Sequence, residues 1–364
     1  MPVRWIDAGK VSYLRSQSIY HGLGYAQTKE TDNTIVLSTP ASAYMCIGHF
    51  QDVTKEIDLD FCKAHNLPVI RRETGGGGVL IDAGQLFVQW VFQRGSLPRK
   101  VDQRFQVFIK PLAETYAFFG IKAAFYPVND VHVNEKKIAG TGAATIGEAE
   151  VITGNFLFDF DTETMTRALR LPNELFRQQV REGLEKHLTT LRRELGAMPD
   201  RGEVMKVYKA RCEDLLGVTF SNGGFTDPEI RAMDRMEKRL LEEDWLFSVK
   251  SPAGRERLVK IHADVWIGLM IQPVQGSEVE VLIRMNSNRI DFINLKANMQ
   301  GESGVDLSGL EKQLTGALLT YNDVKERIQA YFDCRPFLNK VGINEWVHAV
   351  LRVAEEKQRV TGDG

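Results

Sequence analysis

The sequence predicts an α+β protein with a second, smaller domain. Three observations carry this. Up to residue 158 segments with strand character outnumber helical ones. Helical segments then gather in sequence, unlike the regular strand–helix alternation of a parallel nucleotide-binding sheet. Leu86–Phe92 (LFVQWVF) is almost continuously apolar, so its sheet must be covered on both faces. Residues 258–332 read as three strands followed by two helices, enough for a small separate domain. At roughly 100–200 residues per domain, 364 residues fit two or three domains.

The elements follow in order. Residues 3–6 read as a short strand and about 11–29 as a helix with a polar outer face. Thr34–Ser38 (TIVLS) and Tyr44–Gly48 (YMCIG) are strands separated by a turn at Pro40. Leu59–His65 is a short helix ended by Asn66-Leu67-Pro68. Val69–Arg72 is a strand that runs into four consecutive glycines, and another strand begins at Val79. Phe105, Phe108, Ile109, Leu112, Ala113, Tyr116 and Phe119 recur at helical spacing and mark a core helix over 102–119. Short strands follow at 123–126, 130–133, 137–144 and 150–158. Residues 162–216 are helical, interrupted at Pro172 and at Met198-Pro199. Ser221–Gly224 breaks the chain. Thr226-Asp227-Pro228-Glu229 then opens a helix, with Thr as cap, Pro in the first turn and Glu three residues on. Ile230, Met233, Met236, Leu240 and Leu241 are its expected buried stripe. Strands at 258–272, 278–284 and 289–296 and helices at 306–319 and 322–332 complete the second block. Residues 336–364 form an amphipathic tail helix. The composition shifts after Trp245, and the expected domains are 1–247, 256–335 and the tail 336–364.

Lys plus Arg total 46 against 48 Asp plus Glu, a net charge of −2 with no basic run, so nucleic acid is not an expected partner. The first residues lack an apolar signal-peptide core, and no segment reaches about 18 apolar residues, so neither secretion nor a membrane span is expected. Cys46, Cys62, Cys212 and Cys334 form no CxxC pair. That fits a reducing cytoplasm and argues against a zinc or disulfide framework. The histidines show no HxxxH or HExxH spacing, so a metal held by protein ligands alone is not expected.

Two segments carry chemistry. In Arg71-Arg72-Glu73-Thr74-Gly75-Gly76-Gly77-Gly78-Val79, four glycines cost about 0.5–1 kcal/mol each in backbone entropy, which something must offset; a plain glycine-rich hairpin turn with two surface arginines is the other reading. Glycines let backbone N–H groups converge on an anion, and the arginines beside them add charge. The segment lacks the Gly-Lys-Ser/Thr of a P-loop, and no helix directly follows it. In Asn129-Asp130-Val131-His132-Val133-Asn134-Glu135-Lys136-Lys137-Ile138-Ala139-Gly140-Thr141-Gly142, a short turn joins two strands. Lys137 and Ile138 must face opposite ways, and the glycines leave room for a ligand. Lys137 can neutralise a phosphate oxygen, and Asn129 and Asp130 can order a magnesium ion or a hydroxyl. His132 is expected at the cleft edge or in solvent.

RRETGGGGVLIDAGQL resembles the RRxSGGGxVxHDxGN signature of lipoate–protein ligases and related biotin/lipoate ligase-fold enzymes. NDVHVNEKKIAGTG resembles their ND…KKISGS segment. Gly48–Asp52 with Glu56, and Gly154–Asp161 with Leu171-Pro172, resemble two further blocks in the same order. The resemblance implies a mixed, mostly antiparallel sheet flanked by helices, and a small C-terminal accessory domain. It implies ATP-dependent activation of lipoate or octanoate to an acyl-adenylate, then transfer to a lysine of a lipoyl-domain protein. Carried over, Arg72 and Gly75, Gly76, Gly77 and Gly78 would bind the carboxylate and phosphate. Val79 and Leu80 would shape the pocket, and Lys137 would contact the attacked carbonyl and α-phosphate. Gln85, Asn129, Asp130, Ala139, Gly140, Thr153 and Gly154 would complete the nucleotide site. Asp130 would be the metal ligand, and magnesium would bind mainly through ATP phosphates. Departures are Ile81 where the family often has His, Gln85 for Asn, Thr153 for His, and Tyr20–Gly24 where an acidic residue is usual. Some relatives instead are octanoyl or lipoyl transferases. One branch uses a cysteine shortly before or within the segment matching 125–135, which holds no Cys here, and another a lysine in a position like Lys137, so Lys137 does not separate ligase from transferase. A biotin ligase would show a GRGRxGR-type loop, which is absent. A non-catalytic lipoyl- or adenylate-binding protein is the third alternative.

Overall fold

The computed structural model describes residues 3–127, 129–252, 254–274, 277–298, 306–335 and 341–361. Residues 336–340 and 362–364 of the expected tail lie outside the described residues. The chain divides into two compact units, 1–170 with 185–251, and 171–184 with 252–364.

The strands of the first unit are β1 (Val3–Val11), β2 (Asn33–Pro40), β3 (Tyr44–Ile47), β4 (Val69–Arg71), β5 (Val79–Ile81), β6 (Gln85–Gln93), β7 (Ala124–Tyr126), β8 (Asp130–Val133), β9 (Lys136–Ile146), β10 (Ala149–Leu157) and β11 (Ser221–Asn222). Its helices are α1 (Tyr13–Ala26), α2 (Val53–Glu56), α3 (Leu59–Ala64), α4 (Val101–Phe118), α5 (Thr162–Ala168), α6 (Glu174–His187, shared with the second unit), α7 (Leu191–Leu195), α8 (Arg201–Leu216), α9 (Asp227–Leu240) and α10 (Glu243–Leu246). The main sheet runs β11-β1-β2-β6-β10-β9-β8-β7. β1 is parallel to β11 and β2, and every other neighbouring pair is antiparallel. A small sheet β4-β3-β5 carries the glycine-rich segment between β4 and β5.

Both faces of the main sheet are covered, as the apolar run in β6 requires. On one face Leu86, Val88, Trp90, Phe92, Ile152 and Phe156 join Phe105, Phe108 and Leu112 of α4 and Tyr208 of α8 in one core. There the Trp90 indole donates to Tyr208 Oη at 3.0 Å. On the other, Val36, Val91 and Val151 meet Ile19 and Leu23 of α1 and Met233 of α9. A buried Trp or Phe contributes several kcal/mol, so this central strand pair dominates the stability of the unit.

Some expectations change. In α9 the buried positions are Glu229, Ala232, Met233, Met236 and Leu240. Ile230 is 38% exposed and Leu241 60% exposed, because Ile230 sits off the stripe and Leu241 lies past the last helical turn. β11, α2 and α10 are too short to show a period, and sequence periodicity missed them. The expected strand 258–272 is two strands, β12 (Arg257–Lys260) and β13 (Val265–Val274).

The second unit adds β14 (Ser277–Asn286) and β15 (Arg289–Asn298), giving an antiparallel sheet β12-β13-β14-β15. Helices α11 (Ser308–Leu314), α12 (Tyr321–Asp333) and α13 (Ile343–Thr361) cover one face, with Trp266, Ile283 and Trp346 in the shared core. A Cβ on Gly268 would lie 2.5 Å from Val353 of α13, so the helix sits directly on the strand. The N-terminal half of α6 lies on the other face. Gly183 approaches Ile261 and Ile267, and Arg284 donates to Gln179 (2.9 Å) and Glu182 (3.1 Å).

Candidate active site

The glycine-rich loop is set by close backbone approach. Gly48 ends β3, and a Cβ there would stand 2.0 Å from the Gly76 carbonyl oxygen, so only glycine fits under the loop. Gly76 has φ +96°, a region that disfavours L side chains. Around Gly75 and Gly77 there is open space, as a backbone cradle for a ligand needs. The His49 amide donates to the Thr74 carbonyl (3.0 Å), and the Arg72 amide to the Ile47 carbonyl (3.0 Å). Gln51 Oε1 accepts from the Gly48 amide at 3.0 Å.

The two arginines differ. Arg72 is half-buried, and its guanidinium donates to the carbonyls of Cys46 (3.0 Å), Gly75 (2.8 Å) and Gly77 (2.9 Å). It therefore sits beneath the loop, within reach of whatever the loop holds. Arg71 is fully buried and spends its donors on the carbonyls of Gly48, His49, Trp245 and Leu246. Contrary to the sequence expectation for the pair, Arg71 is structural.

Lys137 is aimed by a β-bulge. Val131 pairs with Ala139 and His132 with Lys137, so Ile138 is the extra residue, and Ile138 and Ala139 both point to the α4 core. Unbroken alternation would turn Lys137 toward that core. The bulge instead lays it beside Gly140, where an added Cβ would touch Cε and Nζ at 3.4 Å. Its ammonium lies 2.7 Å from Asp130 Oδ1, on a carboxylate 1% exposed. The turn before it has Asn134 at φ 47° and Glu135 at φ 66°, the two positive angles of a type I′ hairpin. His132 corrects the expectation of a cleft-edge or solvent residue: it is 7% exposed and stacks on Tyr126 with ring centroids 4.3 Å apart.

A hydrogen-bond run joins the two segments. Gln85 Nε2 donates to the Leu80 carbonyl at 2.9 Å. Gln85 Oε1 accepts from Asn155 Nδ2 at 2.9 Å, and Asn155 Oδ1 accepts from the Gly140 amide at 3.2 Å. The end of the loop is thereby locked to the Lys137 strand. Gln85 is buried, Leu80 is 1% exposed and Val79 39% exposed. Asn129 donates from Nδ2 to the Thr141 carbonyl (2.6 Å), bracing β8 on β9. Thr153 shares the Lys137 face, 3.6 Å from a Cβ placed on Gly142. Ala139 and Gly154 turn the other way: Ala139 is in the α4 core, and a Cβ on Gly154 would meet Phe108 at 2.7 Å. They reach the site through backbone alone.

Sequence reasoning missed Asn155, although it quoted the segment, and missed the surround of Glu73. Tyr25 Oη donates to Glu73 at 2.9 Å, Arg239 pairs with it at 3.2 Å, and His21 Nε2 lies 3.7 Å away. Burial lowers the His21 pKa, against the pull of Glu73. Burial raises the Cys46 thiol, with Arg72 opposing. Among the described residues no group of three or more His, Cys, Asp or Glu could hold a metal.

The glycine-rich loop and Lys137 thus lie on strands joined by one hydrogen-bond run. Residues 20–213 match the lipoyl protein ligase A/B catalytic domain, and the chain belongs to this family of lipoate–protein ligases and octanoyltransferases. A lipoate–protein ligase of Streptococcus pyogenes is 24% identical over 306 residues, 82% of this chain and 84% of that protein. An octanoyltransferase of Kyrpidia tusciae is 24% identical over 266 residues, 66% of this chain and 97% of that protein. Among solved structures, a bipartite lipoate protein ligase studied with its E2 lipoyl domain, from Thermoplasma acidophilum, superposes with a TM-score of 0.62. It is 20% identical, over 70% of this chain and 98% of that one. No helix among the described residues is long and apolar enough to cross a membrane.

Proposed function

We propose that the protein is an ATP-dependent lipoate–protein ligase. It activates lipoate or octanoate to the acyl-adenylate and transfers the acyl group to a lysine of a lipoyl-domain protein. The observation that carries this is the run Leu80–Gln85–Asn155–Gly140, which locks the glycine-rich loop to the strand of Lys137. In the first step a carboxylate oxygen attacks the α-phosphorus and pyrophosphate leaves. Backbone N–H groups of Gly75–Gly78 and the Arg72 guanidinium face the anionic group, and Lys137 neutralises the charge that develops between carboxylate and phosphate. Asp130 orients Lys137 and, with ATP phosphates, would hold magnesium, which supplies charge neutralisation. In the second step the acceptor amine attacks the acyl carbonyl and AMP leaves, so this chain needs no nucleophile. Residues 256–335 would act as the accessory domain, as in the family's ligases.

The octanoyltransferase reading has one specific support, a relative of equal identity. Against it, residues 125–135 hold no cysteine, and Cys46, Cys62 and Cys212 of the first unit are all buried. Pyrophosphate exchange into ATP decides between them. Exchange that depends on lipoate or octanoate is expected. No exchange with either acid, in folded protein, would favour the carrier-dependent transferase or a binding role. Lys137→Ala is expected to lose exchange by about 100-fold or more with the fold kept, and to melt lower because the buried Asp130 carboxylate loses its counter-charge. Wild-type exchange in that variant would remove Lys137 from the mechanism.

A further inference from the structure

We infer that Arg71 and Trp245 are positioning residues of the glycine-rich loop, and that the segment 239–246, outside the family-matched residues 20–213, is part of the site. The inference rests on the ligase reading only for its kinetic consequence.

Arg71 is fully buried and cationic, yet it donates its hydrogen bonds to main-chain carbonyls. Nε donates to Trp245 (3.0 Å) and Leu246 (3.2 Å), Nη1 to Gly48 (3.1 Å) and His49 (2.7 Å), and Nη2 to Leu246 (2.7 Å). A buried guanidinium is costly to desolvate, so this arrangement is informative about what it holds in place. One side of the fork is the β3 turn, and the other is α10. Trp245 closes the ring by donating its indole N–H to the Arg71 carbonyl at 3.0 Å. Gly48 in turn lies against the Gly76 carbonyl, so the turn gripped by Arg71 is the floor of the loop.

The same segment grips the loop a second time. The Arg239 guanidinium lies 4.1 Å over the Trp245 ring and pairs with Glu73 at 3.2 Å. Residues 71 and 73, at the base of the loop, are thus both fixed to 239–246. The geometry a phosphate group would meet at Gly75–Gly78 depends on a stretch that touches none of it. Lysine is a poor replacement for Arg71, because one ammonium with three donors cannot reproduce the five contacts that Nε, Nη1 and Nη2 make in a planar fork.

The test uses the full chain with Arg71→Lys, Arg71→Met and Trp245→Phe. Trp245→Phe is the mild variant, since it keeps a ring under Arg239 and deletes one donor. Amide hydrogen exchange of Arg72 and Glu73, whose N–H groups donate to the Ile47 carbonyl and to His21 Nε2, is expected in ligand-free protein to quicken about tenfold in Arg71→Lys and Trp245→Phe, and further in Arg71→Met, while α4 amides stay unchanged. In pyrophosphate exchange the KM for ATP should rise about tenfold, with kcat held within about threefold, the signature of lost positioning rather than lost chemistry. Unchanged loop exchange, or a uniform rise across α4 as well, would overturn the inference. If the wild type supports no pyrophosphate exchange the ligase reading falls, and the loop-exchange result still decides this inference.

Discussion

A missing side chain at residue 48 fixes the height of the glycine-rich loop, and the neighbouring glycines are not equivalent to it. Gly48→Ala must displace the Gly76 carbonyl, 2.0 Å from the new Cβ. It is expected to cost about 1–3 kcal/mol in urea denaturation and to depress acid-dependent pyrophosphate exchange. Gly78→Ala meets only ordinary contacts, at 3.6 Å and beyond, and should leave stability within about 0.5 kcal/mol of wild type. The sequence displayed four consecutive glycines but could not rank them, because rank depends on which backbone lies opposite. It likewise showed two adjacent arginines; the resemblance singled out Arg72, while the composition of the segment alone did not separate it from the buried Arg71. His21 was legible only as a departure from the family pattern. Its Nδ1 donates to the Gln17 carbonyl at 2.7 Å, and its Nε2 accepts from the Glu73 amide at 3.4 Å. That neutral tautomer is favoured by burial, which lowers its pKa from 6.5. Below pH 6.5 the unfolded chain takes up the proton and the folded one does not. The stability that His21 allows is therefore complete above that pH and declines as pH falls toward the lowered folded value. Thermal melts from pH 7.5 to 5 should show a shallower decline in His21→Gln than in wild type. Parallel curves would remove His21 from the acid response.

Elements position what single residues cannot. Alternation alone correctly set Lys137 and Ile138 on opposite faces, but the bulge that turns Lys137 from the α4 core toward Gly140 has no sequence signal. The start of α9 was fully legible, from the Thr226 cap to the Glu229 box. Its tertiary meaning was not. Glu229, 2% exposed, accepts from the Thr226 amide at 2.7 Å and also pairs with Arg4 of β1, a partner 225 residues away. One carboxylate thereby caps α9 and ties it to the sheet, on the helix that ends in Arg239. Glu229→Ala leaves the Arg4 guanidinium, itself only 12% exposed, without its counter-charge. A loss of about 3–5 kcal/mol is expected, read as a lower denaturant midpoint at constant m value, with Glu229→Gln losing less. Equal midpoints for wild type and Glu229→Ala would show that α9 is held by Met233 and Met236 packing alone.

At the scale of the whole molecule, the shift in composition after Trp245 announced a second unit, and its strands-then-helices order was readable from period, although one expected strand is two. What composition could not announce is that residues 171–184 group with that unit, because the helix they begin continues without a break into the first. The pairing is physical. Phe176 and Val180 are fully buried, Gly183 approaches Ile261 and Ile267, and Arg284 reaches Gln179 and Glu182. A chain cut after Ser251 would keep these residues and lose the strands of Ile261, Ile267 and Arg284 that meet this helix, exposing the apolar surface those strands cover, at about 1.5–3 kcal/mol for each large side chain uncovered. Such a truncation is expected to bind an apolar dye strongly and to melt below the full-length protein. Phe176→Ser with Val180→Ser in the truncated chain should reduce dye binding, whereas the same pair in the full chain should destabilise it. A truncated chain that binds no dye would mean that α6 can bury its N-terminal half without the second sheet. The boundary would then lie where the composition shift alone puts it.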